Sequence, residues 1–278
     1  MLLSKADGIL DLRTWEDYKA AHIVDSTWMP WDELGEALNE LPAAPATFFL
    51  VGAFEAIELS SVLLDAKGYK VSGSLIVNQQ EDLQAWGAKL PGLLTSGNDS
   101  KRLWSPNPLL QEFVAKHPVD AFAQRPQALD LGCGGGRDAV FLAKAGWQVI
   151  GIDDQARVLK RAKQLAQRNG ASVKFKCCDL KKAGCLPQGT FDLVMMVRFL
   201  NRELFAALRE LVAPGGFVMV HTFAEGADAF GSPKNPEHLL KAAELAEVFA
   251  DFSVIVDKID TLADGRPVAS FIAQKPAE

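Results

Sequence analysis

The fold of the larger part of this chain is decided by one segment, Leu129-Asp130-Leu131-Gly132-Cys133-Gly134-Gly135-Gly136-Arg137-Asp138. An apolar strand pattern runs into closely spaced glycines and then into a helix pattern, so the backbone can approach a ligand that the helix N-terminus faces. Dinucleotide-binding turns require a third glycine where this sequence has Arg137, whose side chain opposes close helix packing. The pattern that fits is acidic-x-Gly-x-Gly-x-Gly, at Asp130, Gly132, Gly134 and Gly136.

Strand and helix patterns alternate from residue 109 to the end of the sequence. The candidate strands are Ala128–Leu131, Trp147–Ile152, Ser172–Cys177, Phe191–Val197, Gly216–Thr222, Ser253–Lys258 and Val268–Gln274. Helices of fitting length separate the first five strands, and the last two are joined across Asp264-Gly265. We expect an α/β domain with an open, mostly parallel seven-stranded sheet that ends in a hairpin.

Carboxylates follow two further strands of this expected sheet. Asp153 ends the second strand, 17 residues after Gly136, where a carboxylate can accept hydrogen bonds from both hydroxyls of a ribose. Asp179 follows the third strand, where it can accept a hydrogen bond from an exocyclic amine. Open α/β sheets bind ligands at the carboxyl ends of their strands, so these groups are expected at one site.

With Phe191-Asp192-Leu193-Val194 and Leu211-Val212-Ala213-Pro214-Gly215-Gly216, these features resemble class I S-adenosylmethionine-dependent methyltransferases over about residues 107–276. The resemblance implies a Rossmann-like methyltransferase domain with S-adenosylmethionine as cofactor. No metal site is expected, because the sequence has no CxxC and lacks the usual spacing of zinc ligands. It assigns the glycine loop 132–136 to the methionine part of the cofactor, Asp153 to the ribose and Asp179 to the adenine amine. Asp130 then orients the loop or meets the cofactor ammonium through water. The implied cofactor-binding residues are Asp130, Gly132, Cys133, Gly134, Gly136, Asp153, Asp154, Asp179 and Leu180.

Candidates for the acceptor pocket follow the fourth and fifth strands. They are Arg198, Asn201, Arg202, His221 and, in a Gly- and Pro-rich segment suited to a lid, Phe230. Arg198 and Arg202 are spaced to share a helical face and could attract an anion, although surface arginines are equally consistent. Arg198 and His221 are the candidate catalytic residues, and a structural role for His221 stays open. Aligning donor and acceptor matters most, and a thiolate or carboxylate acceptor needs no general base.

The region around the acceptor residues resembles TehB-like and related small methyltransferases. It comprises Arg202-Glu203-Leu204-Phe205, the lid segment and Gly265-Arg266-Pro267. The resemblance implies a small-molecule acceptor, with a thiol, a chalcogen oxyanion or another small anion preferred.

The first part of the chain has a different character. Residues 1–100 carry 6 basic and 15 acidic residues, whereas residues 101–278 carry 23 and 20. Asp11-Leu12-Arg13, Ala21-His22-Ile23 and the strand and helix that lead to Gly68-Tyr69 resemble a rhodanese-like domain over about residues 1–92. Rhodaneses hold sulfur on a cysteine after the strand, where this sequence has Gly52-Ala53-Phe54-Glu55-Ala56. Without a thiolate, we expect a rhodanese-like fold that has lost sulfur transfer.

The length of 278 residues accommodates two domains. We expect a rhodanese-like domain over 1–92, a linker over 93–108 and the methyltransferase domain over 109–278, with Leu103-Trp104 packed on the second domain. The four cysteines, all between positions 133 and 185, are expected to be reduced thiols. No signal peptide or membrane-spanning run is evident, so a cytoplasmic protein is expected, and its oligomeric state is open.

Two other functions remain open at this point. Nine basic residues against one acidic residue in 157–182 could track RNA phosphates, which makes RNA methylation an alternative. The whole chain nevertheless carries a net charge of −6, and Phe175 is the only aromatic residue in that stretch. A non-catalytic scaffold that binds the cofactor is the second alternative.

Overall fold

The computed structural model describes residues 5–277 and divides into an N-terminal unit, Met1–Ser105, and a C-terminal unit, Pro106–Glu278. This boundary shortens the linker expected over 93–108. Leu94–Thr95 pairs with His22–Ile23, and the Thr27 hydroxyl donates a hydrogen bond to the Lys101 carbonyl at 2.7 Å. Leu103 packs against the core of the N-terminal unit, which corrects the expectation that Leu103-Trp104 packs on the second domain.

The N-terminal unit is an α/β fold with a four-stranded parallel sheet. Its strands are β1 (Gly8–Asp11), β2 (His22–Ile23), β3 (Ser26–Trp28), β4 (Thr47–Gly52), β5 (Lys70–Ile76) and β6 (Leu94–Thr95). Its helices are α1 (Trp15–Ala20), α2 (Leu34–Ala37), α3 (Phe54–Asp65) and α4 (Gln80–Gly87). The sheet order is β3-β1-β4-β5, and β2 pairs with β6 separately. The apolar residues of β4 are buried, as expected for a central parallel strand.

The C-terminal unit contains a seven-stranded sheet. Its strands are β7 (Gln127–Leu131), β8 (Gln148–Asp153), β9 (Val173–Cys177), β10 (Phe191–Val197), β11 (Val212–Phe223), β12 (Ser253–Thr261) and β13 (Pro267–Gln274). Its helices are α5 (Pro108–Lys116), α6 (Arg137–Lys144), α7 (Ala156–Arg168), α8 (Phe205–Leu211) and α9 (Glu244–Val248). The order is β12-β13-β11-β10-β7-β8-β9, and only the pairings of β13 are antiparallel.

Apolar side chains cover both faces of this sheet. Val194 and Met196 face one core with α8 and α9, whereas Met195 faces the other core with α5 and α6. Alternating side chains that are apolar on both faces explain why β10 is a continuous hydrophobic run. Asp153 ends β8, so its carboxylate lies at the carboxyl edge of the sheet. Within residues 5–277, no helix combines the length and the apolar character needed to cross a bilayer.

Candidate functional site

The glycine loop connects β7 to α6 at the carboxyl edge of the sheet. Gly132, Gly134 and Gly136 all have positive φ, at 72°, 51° and 78°. A side chain at Gly132 would collide with Phe199, and one at Gly136 would meet Ala162 Cβ at 2.8 Å. Gly134 differs, because a Cβ there would meet nothing within 4 Å. The loop is thus closely packed on either side of Gly134, where its backbone borders open space.

Asp153 is fixed beside this loop by two backbone donors. The Gly134 N–H donates to one carboxylate oxygen at 2.9 Å, and the Gln155 N–H donates to the other at 3.0 Å. Each carboxylate oxygen retains a further lone pair. The side chain is therefore held in one orientation while it can still accept hydrogen bonds from a diol.

Asp179 follows β9 on the same edge, where its carboxylate accepts a hydrogen bond from the Lys181 N–H at 3.0 Å. A disulfide between Cys178 and Cys185 closes the segment that carries Asp179. This bridge corrects the expectation that all four cysteines are reduced thiols. Sequence spacing did not indicate it, because the two cysteines are brought together by the turn after β9. Cys133 and Cys177 remain free thiols.

A cavity of about 640 Å³ joins these groups. Its lining includes five of the predicted cofactor residues, Gly132, Asp153, Asp154, Asp179 and Leu180, and the predicted acceptor residues Asn201 and Arg202. Other lining residues include Phe199, Glu203, Asn235, Glu237 and His238. The volume is within the range that small-molecule and cofactor sites occupy. The predicted residues Asp130, Cys133, Gly134, Gly136, Arg198, His221 and Phe230 are outside this lining.

Asp130 lies near the end of β7 and Cys133 lies in the glycine loop, and both are in a negatively charged environment. Asp130 is 2% exposed, and its Oδ2 has no hydrogen-bond partner. Burial, followed by the charges of Asp138 and Asp153, raises the pKa of Asp130 well above its ordinary value. Burial and the same kind of charge repulsion raise the pKa of Cys133, so this thiol is unsuited to act as a nucleophile. An orphaned buried carboxylate oxygen beside the loop fits a cationic ligand group.

Arg202 lines the cavity, but its guanidinium is already engaged. It forms an ion pair with Glu244 and donates to the carbonyls of Glu237 and Leu239 at 2.8 Å. The hydrogen bonds to Glu244 raise the pKa of Arg202. The structure therefore corrects the expectation that Arg202 attracts an anionic substrate, because the arginine instead holds the segment around Pro236–His238.

The Arg198 guanidinium, in contrast to that of Arg202, contacts an aromatic ring. It lies 4.6 Å from the centre of the Phe223 ring, and Arg266 lies at the same distance from that ring. Arg266 is paired with Asp264, whereas the Arg198 guanidinium has no hydrogen-bond partner within residues 5–277. Burial, and then the positive charge of Arg266, lowers the pKa of Arg198. Two neighbouring guanidinium groups favour an anion between or beside them.

His221 lies at the carboxyl end of β11 and is 7% exposed. Its Nδ1 is 3.0 Å from the Asn107 amide nitrogen, and its carbonyl accepts a hydrogen bond from the Arg198 N–H at 2.7 Å. Burial, and then the positive charge of Arg198, lowers the pKa of His221 to about 4. The histidine is consequently neutral at physiological pH.

The remaining predicted acceptor residues have local structural roles as well. Asn201 accepts a hydrogen bond from the Glu203 N–H and begins the 3-10 helix Arg202–Leu204. Phe230 is 61% exposed and packs near Gly265. It follows the 3-10 helix Ala227–Ala229, in the segment predicted to be a lid.

Sequence reasoning missed Asn107, Arg266 and Phe199. Asn107 precedes Pro108 in a typical helix N-cap position, so its capping role was detectable, but its partner His221 is 114 residues away. Arg266 was noted only within Gly265-Arg266-Pro267 as part of the TehB-like resemblance, and its contact with the Phe223 ring depends on the register between β11 and β13. Phe199 carried no polar signal, and its close packing against Gly132 is visible only in the fold.

The basic stretch 157–182 is partly structural. Arg168 is buried, and the Lys176 ammonium donates to the carbonyls of Gly184 and Cys185. Helix α7 also buries Leu159 and Leu165 on its inner face. The nine basic residues therefore do not form one continuous solvated face for phosphates.

The N-terminal unit has a smaller cavity of about 210 Å³ at the carboxyl ends of its strands. Arg13, Trp31, Ala53, Asn78 and Gln80 are among its lining residues. Arg13 is paired with Asp11 at 2.6 Å, so its charge is neutralised within the unit. Ala53 belongs to the stretch 52–56, where the resemblance to rhodaneses would require a cysteine, and the first cysteine of the chain is Cys133.

Residues 128–216 match the family model described as a methyltransferase domain. The C-terminal unit carries an S-adenosylmethionine-dependent methyltransferase domain. The match begins in β7, spans the glycine loop, Asp153 and Asp179, and ends in β11. The cofactor of this methyltransferase domain is S-adenosylmethionine, and Asp130, the glycine loop and the two strand-end carboxylates fit it.

Several known proteins are similar to this chain. An uncharacterized protein of Schizosaccharomyces pombe, UNK4.09, is 25% identical over 96% of this chain and 93% of its own length. The ubiquinone biosynthesis O-methyltransferase of Chromobacterium violaceum is 31% identical over 48% of this chain and 58% of its own length. That of Methylococcus capsulatus is 30% identical, and 62% of its length is covered. The chain thus spans less than two thirds of the length of these two O-methyltransferases.

Among solved structures, TehB from Haemophilus influenzae matches with a TM-score of 0.47 and 20% identity, over 60% of this chain and 67% of its own. The magnesium protoporphyrin IX methyltransferase from Synechocystis with bound S-adenosylhomocysteine matches with a TM-score of 0.49 and 21% identity. That match covers 60% of this chain and 81% of the other.

Proposed function

We propose that the chain transfers a methyl group from S-adenosylmethionine to a small-molecule acceptor that binds as an anion. One observation carries the proposal. The cavity of about 640 Å³ extends from Asp153 and Asp179 to the segment 199–203, so one open space serves both the cofactor carboxylates and the end of β10. Such a space can hold a nucleoside cofactor with a small acceptor beside it.

The cofactor assignments rest on the chemistry of the loop and its neighbours. Asp153, held by two backbone donors, would accept the ribose hydroxyls, and Asp179 would accept the adenine amine. Asp154 and Leu180 line the same part of the cavity. The open backbone at Gly134 suits the methionine part, with Cys133 and Gly136 shaping the turn around it. The unpartnered Oδ2 of Asp130 would compensate the cofactor ammonium through water.

When bound, S-adenosylmethionine supplies a methyl group on a sulfonium that is already activated for displacement. The chain therefore has to align the acceptor with that carbon and exclude water. Such alignment is worth up to roughly 7–11 kcal/mol of barrier reduction. No protein nucleophile is required, which agrees with the raised pKa of the Cys133 thiol.

The anionic character of the acceptor is supported by the Arg198 guanidinium, which lies over the Phe223 ring. An anion there would supply the hydrogen bonds that Arg198 lacks within residues 5–277, whereas Arg266 is already paired with Asp264. A thiolate or an oxyanion, such as a chalcogen oxyanion or a carboxylate, fits this environment and needs no general base. The O-methyltransferase names of the curated relatives favour oxygen as the acceptor atom within that class.

For the N-terminal unit, we propose a rhodanese-like fold without sulfur-transfer activity. The support is the parallel sheet order β3-β1-β4-β5 together with Ala53 at the start of α3, where a sulfur carrier would need a thiol. With that thiol missing, thiosulfate and cyanide are expected to give no thiocyanate with the full chain.

The test uses the full chain in two stages. Calorimetric titration with S-adenosylmethionine is expected to show binding. Incubation with methyl-labelled cofactor and a deproteinised metabolite fraction, and separately with total RNA, is then expected to release S-adenosylhomocysteine and to label the small-molecule fraction only. Label in RNA would replace the proposal by the RNA alternative. Binding without turnover in either fraction would indicate a scaffold.

A further inference from the structure

Asn107 lies outside the cavity and outside the family match, yet it connects two functional segments of the C-terminal unit. Its backbone N–H donates to the Asp138 carboxylate at 2.7 Å, in the first turn of the helix that follows the glycine loop. Its side-chain oxygen accepts a hydrogen bond from the Leu109 N–H at 2.9 Å and so begins α5. Its side-chain nitrogen lies 3.0 Å from His221 Nδ1.

These contacts fix the orientation of the Asn107 amide. If the amide were turned over, its NH₂ group would face the Leu109 N–H, and two donors would oppose each other. The NH₂ group therefore faces His221, and an amide nitrogen can only donate. His221 Nδ1 must accept that hydrogen bond, so in the neutral ring the proton resides on Nε2.

We propose that Asn107 is a positioning residue that holds His221 in the Nε2–H tautomer, so that His221 serves the acceptor side as a hydrogen-bond donor and not as a general base. The part that concerns the acceptor rests on the proposed function. The tautomer itself follows from the contacts of Asn107 alone.

A base role would require the opposite tautomer. An Nε2 lone pair is available only when Nδ1 carries the proton, and that proton would point at the Asn107 NH₂ group. Within residues 5–277, Nε2 has no hydrogen-bond partner, so its proton is available to a ligand. His221 and Arg198 would then both donate, which matches an acceptor that arrives already ionised.

The charged groups that face His221 come from three elements. Arg198 follows β10, Lys258 and Asp260 lie on β12, and Asp138 of α6 faces it through Asn107. Asp260 is held by Lys258 at 3.0 Å and by the Ser270 hydroxyl, so it is already paired on its own side of the sheet. Protonation of the imidazole is therefore opposed both by burial and by the positive charge of Arg198.

The test is the ¹⁵N spectrum of the histidine rings in the full-length protein. The chain has four histidines, and His221→Gln identifies the signals of His221 by their loss. The wild-type protein at pH 7 is expected to show unprotonated Nδ1 and protonated Nε2. Asn107→Asp, which keeps the cap but replaces the donor by an acceptor, is expected to move the proton to Nδ1.

Asn107→Ser separates this effect from helix capping. Serine can still accept the Leu109 N–H, but its hydroxyl lies closer to the backbone than the amide nitrogen of Asn107, so the hydrogen bond to His221 Nδ1 is lost and the tautomer ratio is expected to change by about ten-fold. Thr14→Ala, which removes a cap in the N-terminal unit, should leave the His221 signals unchanged.

Protonated Nδ1 in the wild type, or an unchanged ratio in Asn107→Asp, would overturn the inference. The proposed function is examined separately, by titrating the wild type with S-adenosylmethionine. Absence of binding there would refute the function and leave the tautomer assignment standing.

Discussion

The two units of this chain contain the same local arrangement with different chemistry. In each, a buried parallel strand ends in a turn, and a helix begins at the carboxyl edge of the sheet: β4 leads into α3 and β7 into α6. The β7 turn has three glycines with positive φ, a fixed carboxylate and a cavity of about 640 Å³. The β4 turn has Gly52-Ala53 and a cavity of about 210 Å³. The two turns differ in their glycines and in the carboxylates around them, whereas the strand–turn–helix arrangement is common to both units.

Of the substitutions considered, Asp153→Ala is expected to have the largest effect on cofactor binding by the C-terminal unit. The substitution removes a carboxylate that would form charge-assisted hydrogen bonds to two ribose hydroxyls, so the affinity for S-adenosylmethionine should fall about 10³-fold. The measurement is calorimetric titration of the full chain.

Asp82→Ala is the matched control for this substitution. Asp82 also accepts two backbone hydrogen bonds, from Asn78 and Gln79, but it lies in the N-terminal unit. Its removal should leave cofactor affinity unchanged. Equal affinity in the wild type and Asp153→Ala would remove Asp153 from the site.

Acid is expected to weaken the C-terminal unit through His221. Its pKa is about 4 in the folded protein and near 6.5 when unfolded, so the unfolded state binds the proton first as pH falls. Up to about 3 kcal/mol of unfolding free energy should be lost between pH 6.5 and 4. Hydrogen exchange of the β10 and β11 amides measures this loss.

His221→Gln should reduce the acid dependence of those amides. The β1 and β4 amides of the N-terminal unit provide the internal control, and they should respond to pH in the same way in both proteins. An identical pH dependence of the β10 and β11 amides in the wild type and the variant would contradict the lowered pKa.

Gly134→Ala tests the open part of the loop. The new methyl group meets no protein atom within 4 Å but occupies the space assigned to the cofactor, at a φ of 51°. We expect about ten-fold weaker binding of S-adenosylmethionine and a loss of roughly 1–3 kcal/mol of stability from backbone strain. Titration and thermal unfolding measure the two effects.

Gly52→Ala is the corresponding change in the other turn. Its Cβ would lie 3.1 Å from Leu12 Cβ, and its φ is not positive. Cofactor affinity should be unaffected there. Unchanged cofactor affinity in Gly134→Ala would mean that the cofactor does not approach this part of the loop.

The smallest expected difference between the two units is in the rate at which their thiols are alkylated. Alkylation at neutral pH should label the exposed Cys177 but not Cys133, whose pKa is raised by burial and by Asp130 and Asp153. Ala53→Cys would place a thiol at the exposed start of α3, where the helix dipole lowers a thiol pKa. This thiol should react a few-fold faster than Cys177, as mass spectrometry of labelled peptides can show. Labelling of Cys133 at a rate similar to that of Cys177 would contradict the raised pKa of the Cys133 thiol.

Local patterns predicted most of the architecture. The α/β class and the positions of the C-terminal strands follow from apolar periodicity and from glycines that only particular turns require. The boundary near residue 93 was misplaced because the Gly- and Pro-rich composition of 91–108 resembles a linker, although Leu94–Thr95 pairs with β2 and Leu103 packs in the core. Composition indicates where a chain turns, but not which domain the segment packs against.

Side-chain partnerships across long sequence distances were not predictable. Arg202 has the spacing of an anion-binding residue, but Glu244, 42 residues later, pairs with it. The Arg198–Phe223–Arg266 arrangement and the Asn107–His221 contact depend on strand register. The residues assigned to the cofactor lie at one edge of the sheet because they directly follow strand ends, whereas those assigned to the acceptor come from segments that only the fold brings together.

The most direct test is a crystal structure of the full chain with S-adenosylhomocysteine. We predict that the ribose hydroxyls lie within hydrogen-bond distance of Asp153, with the amino-acid part over Gly134 and the adenine at Asp179. The cavity of the N-terminal unit should contain no nucleoside. A ribose bound elsewhere, or a nucleoside in the cavity beside Ala53, would contradict the assignment of the site.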